Sequence, residues 1–223
     1  MLVNQNRVLC ISPHMDDEVI GCGGSLIMHS EKGAETCVIY VVRREPTLGI
    51  ARDYDYAQES INVCSILGIT RRIALECPSR PLQFESRLLR ELVKEIRSFQ
   101  PEVVYIPHEY EDDREHRLVH EMGREAIWMA SSPHFEECGP VMPPVQAVLG
   151  YEVWTPMPTY QLVRDITTYM DKKIAALREY HSQIQERAYD DAIQGLNRYR
   201  AIMTGVGQYA EVFRIYKLRC VTS

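Results

Sequence analysis

Short runs of consecutive apolar residues alternate along this chain with longer stretches in which apolar positions recur every three or four residues. The first pattern is that of a strand buried on both faces, the second that of a helix with one buried face. VLCIS at 8–12 predicts a strand, and the DDEVIGCGGSLIMHSEKG that follows predicts a helix opening on acids and closing at Gly33. TCVIYVV at 36–42 predicts a second strand, YDYAQESINVCSILG a helix ending at Gly68, and the region around Ile73 a short strand. FESRLLRELVKEIRSF at 84–99 puts Leu88, Leu89, Leu92, Val93 and Ile96 on one helical face, and EVVYIP at 102–107 is again a strand. A helix over about 115–131 leads to SSPHFEECGPVMPPV, whose prolines 133, 140, 143 and 144 mark a loop expected at a pocket rim. Strands near 146–154 and 161–166, a helix over 169–187 and a last strand near 211–219 complete the prediction.

Strand–helix alternation of this kind predicts an α/β protein, a Rossmann-like doubly wound, mostly parallel sheet with helices on both faces, because parallel neighbours need long crossover connections. With 223 residues, 45 % of them apolar, and no linker, repeat or low-complexity tract, a single domain spanning 1–223 is expected.

The net charge of −6 and the scattered lysines and arginines argue against a nucleic-acid partner. No 18-residue apolar stretch predicts a membrane span, and MLVNQNRVLCISPH lacks the features of a secretory signal, so a cytoplasmic protein is expected. Seven cysteines, scattered and never in a C-x-x-C pair, read as reduced core thiols.

Candidate chemistry begins at Ser12-Pro13-His14-Met15-Asp16-Asp17-Glu18, where the first strand meets its helix, the edge at which open α/β sheets bind ligands. Acids in a first helical turn are explained by the macrodipole and by capping alone; His14 is not. One nitrogen and two carboxylates so close together suit a cation such as zinc, with one carboxylate as ligand and the other as base. A second cluster, His108 to His120, follows the strand EVVYIP at an equivalent edge. His14, Asp17 and His116 would form a three-ligand set with a coordination position left for water, although His116 and His120, spaced i, i+4, are equivalent on spacing alone. Gly21-Cys22-Gly23-Gly24 superficially resembles a dinucleotide fingerprint, but these glycines fall inside the helix rather than at the strand–helix turn, so close packing is their expected role.

SPHMDDEVIGCGGSL resembles the (S/A)-H-P-D-D-E-x-x-G-x-G-G-T-L signature of the LmbE-like, PIG-L family of zinc-dependent N-acetylglucosaminyl deacetylases. Asp113-Arg114-Glu115-His116-Arg117-Leu118-Val119-His120-Glu121 is similar to its H-x-D-H motif. Blocks at Tyr151 to Trp154, Asp165 to Thr167, Lys173 to Gln183 and Tyr209 to Phe213 extend the resemblance over nearly the whole chain. The resemblance implies zinc, or another divalent metal, on His14, Asp17 and His116, with Asp16 as general base. It further implies a small amino-sugar substrate that loses an N-acetyl group, with removal of a larger acyl group or non-catalytic sugar binding as alternatives.

Met15 replaces the family's proline, Glu115 its motif aspartate, and Asp113 its first motif histidine, a residue that assists the oxyanion or leaving group. A carboxylate does so only when protonated; otherwise the acid step falls to protonated Asp16 or activity is reduced. Arg43, Arg44, Arg52, Tyr110 and Glu152 are the substrate-binding candidates, with Glu59, Arg117, Tyr180, His181 and Gln183 as further pocket candidates. The loops 43–56 and 131–145 are expected to select the aglycone, and a homo-oligomer is an expected assembly.

Overall fold

The computed structural model describes residues 6–43, 54–80 and 82–219. Seven strands form one sheet in the order β3-β2-β1-β4-β5-β7-β6. These are β1 (Arg7–Ser12), β2 (Glu35–Arg43), β3 (Arg71–Pro78), β4 (Val103–Pro107), β5 (Ala147–Tyr151), β6 (Leu162–Asp165) and β7 (Ala210–Leu218). β1 to β5 pair in parallel; β7 runs antiparallel to β5, and β6 antiparallel to β7. The apolar runs are continuous because both faces of the central strands are buried. Val8 and Cys10 of β1 enter one core with α1 (Asp17–Glu31), α2 (Tyr56–Leu67), α5 (Met170–Arg178) and α7 (Tyr189–Thr204). Leu9 and Ile11 enter the other, with α3 (Ser86–Phe99) and α4 (Arg114–Ala130). Helices thus cover both faces of a mostly parallel sheet, and strand order reverses direction between β1 and β4, the switch point where ligands bind in such sheets.

Three elements differ from the sequence reading. The helix expected over 169–187 is two, α5 and the single turn α6 (His181–Ile184), and α7 follows where no element was expected. The buried face of α7 includes Asn197 and Arg200 beside Ile193 and Ala201, so its pattern is not that of an apolar stripe. α1 breaks at Cys22 (φ −144°, ψ 18°), and Glu211 of β7 accepts the freed Gly24 and Ser25 N–H groups at 2.8 and 2.9 Å while Lys173 donates to it at 2.8 Å. The glycines here serve close packing: a Cβ on Gly21 would lie 2.2 Å from the Tyr151 ring, and one on Gly24 2.8 Å from Ile166.

The third difference is the proline-rich loop, which leads from α4 into the start of β5 and so lies at the sheet edge opposite the switch-point mouth. Buried Arg97 fixes it, donating to the carbonyls of Met129, Ala130, Ser132, His134, Phe135 and Gly139. It does line a cavity of about 300 Å³, with Pro133, Glu136, Gly139, Pro140 and Val141 beside Arg97, but away from the switch point. The six described cysteines are all free and buried; Cys220 lies outside the described residues. No described helix is long and apolar enough to cross a membrane.

Candidate active site

After β1 the chain turns through Pro13 and His14 into α1. Asp16, just before the helix, has φ 130° and ψ −32°, a conformation that L residues rarely adopt. Its N–H donates to Glu18 Oε2 at 3.1 Å, and its carbonyl accepts from the Val19 and Ile20 N–H groups, both at 3.0 Å. Glu18 is buried, and the Tyr40 and Tyr180 hydroxyls donate to its Oε1 at 2.9 and 2.6 Å. Burial pushes the Glu18 carboxyl up to about 7, against hydrogen bonds from Tyr180, Asp16 and Tyr40 that lower it. A carboxylate anchored by two tyrosines therefore clamps the turn that carries Asp16 and Asp17.

After β4, buried Glu111 accepts hydrogen bonds from the N–H groups of Val153, Trp154 and Thr155 at 2.6, 3.1 and 3.2 Å. The same carboxylate lies 3.1 Å from His108 Nε2 and 3.5 Å from His116 Nδ1. Burial alone would raise its pKa, but His108, His116 and the Val153 N–H hold it down at about 2. Asp113 caps α4, accepting the Glu115 N–H at 2.7 Å.

These two turns bring together three ligand-type atoms, one from each of His14, Asp17 and His116. His14 Nδ1 lies 3.2 Å from His116 Nε2, and Asp17 Oδ2 lies 3.3 Å from each of them. A tetrahedral ion with bonds of about 2.0–2.1 Å requires ligand atoms about 3.3 Å apart, so the triangle fits a metal with no rearrangement. Asp17 Oδ1 is buried with no hydrogen-bond partner, a cost that proteins accept where a cation is held. The far nitrogen of His14 is 2.8 Å from Glu115 Oε2, the orienting contact that ligating histidines usually have. Burial lowers the His14 pKa, but Asp17 and Glu115 outweigh it and raise it to about 10. His120 sits one turn further along, buried, with Nδ1 2.8 Å from the Pro107 carbonyl and its ring against Tyr216, away from the triangle.

Other candidates fall elsewhere. Asp113 is half-buried and paired with Arg80 (3.1 Å). Burial would raise its carboxyl, but the Glu115 N–H and Arg80 hold it below the usual aspartate range. The surroundings thus favour the carboxylate, the form that caps α4 and pairs with Arg80. Glu152 is buried in a two-point ion pair with Arg200 (3.0 and 2.7 Å) and accepts the Met157 N–H, so its carboxylate faces the interior and not a ligand. Tyr110 is exposed beneath the Arg214 guanidinium, 5.4 Å away. Arg43 ends β2, exposed; Arg44 and Arg52 lie outside the described residues. Glu59 accepts from the N–H and hydroxyl of Ser182, Arg117 donates to the Glu111 and Asp112 carbonyls, and Gln183 is buried. Sequence reasoning did not single out Glu111, Trp154 or Arg80, which act across elements that no local pattern joins, and it did not foresee the two tyrosines that anchor Glu18.

Comparison with known proteins agrees with this geometry. The family PIG-L, described as GlcNAc-PI de-N-acetylase, matches residues 9–127, the stretch that contains both turns. A diacetylchitobiose deacetylase from Thermococcus kodakarensis is 29 % identical over 93 % of this chain and 82 % of its own length. The N,N'-diacetylchitobiose deacetylase from Pyrococcus horikoshii, solved with an inhibitor, has a TM-score of 0.83 at 24 % identity, covering 95 % of this chain and 84 % of that one. GalB, the 4-carboxy-2-hydroxymuconate hydratase from Pseudomonas putida KT2440, has a TM-score of 0.83 at 21 % identity, covering 98 % and 99 % of the two chains. One fold thus carries more than one chemistry, so function must be argued from the site. The match over both site-bearing turns, together with the sheet that positions them, makes this chain a member of the PIG-L family.

Proposed function

We propose that this protein is a metal-dependent N-deacetylase that hydrolyses the acetamide of an N-acetylglucosamine-type amino sugar to acetate and a free amine. The observation that carries this reading is the His14, Asp17 and His116 triangle with buried Asp16 on the same turn. Two imidazole nitrogens and one carboxylate suit zinc, with a fourth position left open. Bound there, the ion supplies Lewis acidity, polarising the amide carbonyl and making water easier to deprotonate.

Asp16 then takes the proton as water adds to the carbonyl carbon, and its backbone, fixed by Glu18, holds the carboxylate in place. With the Asp113 carboxylate held by Arg80 and the Glu115 N–H, protonated Asp16 is assigned the delivery of that proton to the departing nitrogen, so water is divided between acetate and amine. Glu115 orients His14, and the Glu111 carboxylate, 3.5 Å from His116 Nδ1, supplies a negative charge behind that ring. Free buried cysteines match a reducing compartment and support a cytoplasmic location. The one sheet that spans β1 to β7 supports a single domain.

The test is acetate release from N-acetylglucosamine and N,N'-diacetylchitobiose by zinc-loaded protein. Asp16→Asn is expected to lower kcat by about 10²–10⁴-fold and to keep its metal. Turnover that survives in this variant sinks the role of Asp16, and no acetate from any N-acetylated sugar overturns the activity.

A further inference from the structure

Beside the triangle lies a cavity of about 390 Å³ lined by Arg80, Asp112, Asp113, Arg114, Trp154, Arg187 and Tyr189. Arg80 is built into it in an unusual way. It follows β3 with φ 68°, in the left-handed region that favours glycine, and its N–H donates to Glu115, the carboxylate that orients His14. The neighbouring Ser79 hydroxyl donates to the same carboxylate at 3.2 Å. The Arg80 guanidinium reaches Asp113 at 3.1 Å, yet its side chain remains 70 % exposed on the cavity side of this pair. An arginine with a strained backbone, both ends tied to carboxylates around the triangle, is not an incidental surface charge.

The opposite lining is aromatic. The Trp154 ring stacks on His116 (centroids 6.3 Å apart, planes at 22°) and meets Tyr189 at 5.0 Å. Trp154 is held by the Glu111 carboxylate, which accepts its N–H, and is 40 % exposed. The cavity therefore offers an apolar ring surface and, in Arg80 and Asp113, a paired donor and acceptor, with Asp112, Arg114 and Arg187 completing its lining. A sugar ring presents the complement, one apolar face and hydroxyls that both donate and accept.

We propose that Arg80 and Asp113 together read adjacent hydroxyls of a neutral pyranose whose ring packs on Trp154 and Tyr189, making Arg80 a specificity-determining residue of this site. The proposal rests on the deacetylase reading for its choice of amino sugar. It also gives the Asp113 substitution a purpose: the carboxylate aims Arg80 and accepts a hydroxyl hydrogen.

The chain has two tryptophans, so Trp128→Phe leaves Trp154 as the sole indole reporter, and Asp16→Asn in the same protein holds hydrolysis back while the sugar is titrated. Titration of this zinc-loaded protein with N-acetylglucosamine is expected to give a saturable change in Trp154 fluorescence. Arg80→Met is expected to weaken binding by about 10–100-fold, the worth of hydrogen bonds from a charged group, with its zinc retained. The 3-deoxy or the 4-deoxy sugar should lose a similar factor against Arg80 and little further in the variant, the mark of one shared interaction. Binding unchanged in Arg80→Met, no loss with either deoxy sugar, no Trp154 response, or loss of zinc from the variant would each overturn the proposal; the last would make Arg80 a brace for His14 alone. Acetate release is scored separately: sugar that binds through Arg80 and is not hydrolysed defeats the activity reading and leaves this one standing.

Discussion

Asp16 holds φ 130° although its side chain makes no capping bond to α1. A non-glycine residue in such a region stores about 1–3 kcal/mol, which the surrounding hydrogen bonds must offset. Glycine would relieve that strain, lose about 0.5–1 kcal/mol in backbone entropy, and remove a carboxylate from beside Asp17. Asp16→Gly is therefore expected to lose turnover while the melting temperature of metal-free protein rises by about 2–4 °C; a fall measured by calorimetry would contradict stored strain. His14, Asp16 and Asp17 were legible in the sequence because they are contiguous at a strand–helix turn. By spacing His116 was one of two candidates, which the family resemblance narrowed to His116, and the structure agrees, placing His116 in the triangle and His120 against the Pro107 carbonyl. Glu152 stood in a motif-like block, yet its partner is Arg200, 48 residues away, and no spacing rule links the two.

At the scale of elements, α1 is joined to the sheet by a polar contact as well as an apolar one. His29 Nε2 is 2.9 Å from the Tyr105 hydroxyl of β4, and Arg164 of β6 lies 3.0 Å from the same nitrogen. Burial, with the charges of Arg164 and Lys32, pushes His29 down to about 3. The folded protein keeps this imidazole neutral, while the unfolded chain protonates it near pH 6.5. Its contribution is thus complete above pH 6.5 and is lost as pH falls from there towards 3, at up to about 1.4 kcal/mol per pH unit. Urea denaturation of His29→Gln should show a shallower loss of stability over that window, and an unchanged slope would mean that His29 is not held neutral. Elements with apolar periodicity were readable from sequence. α7 was not, since it buries Asn197 and Arg200, and neither was the break in α1, whose free N–H groups are met by Glu211 from a strand almost two hundred residues later. The loop after α4 was misplaced for a topological reason: prolines reveal a loop, not the sheet edge on which it falls.

For the molecule as a whole, the order in which β1 and β4 become neighbours creates the site, because the two turns meet only when the sheet has formed. Asp16, Asp17, Glu18, Glu111, Asp113 and Glu115 then crowd around two histidines, and a divalent cation held by the triangle would balance that charge and tie the two crossovers together. An ion present at a thousandfold its Kd stabilises the fold by about 4 kcal/mol. Chelation is therefore expected to lower the melting temperature by roughly 8–16 °C, with restoration on adding zinc back; an unchanged midpoint would show that the triangle holds no metal.

The distribution of these parts along the chain has a consequence for descent. All three ligand-type residues and Asp16 lie within the 9–127 segment that the family shares, whereas Trp154, Arg187 and Tyr189 come from the stretch after it. Only the aromatic part of the cavity lining, with Arg187, is thus carried on a separate length of polypeptide, since Arg80 and Asp113 lie within 9–127, and the two lengths are joined through a few contacts such as Tyr180 to Glu18 and the 153–155 backbone to Glu111. A lineage can exchange the later stretch, reshape the aromatic wall and leave the metal-ligand triangle with Arg80 and Asp113 in place, as long as those few contacts survive the exchange.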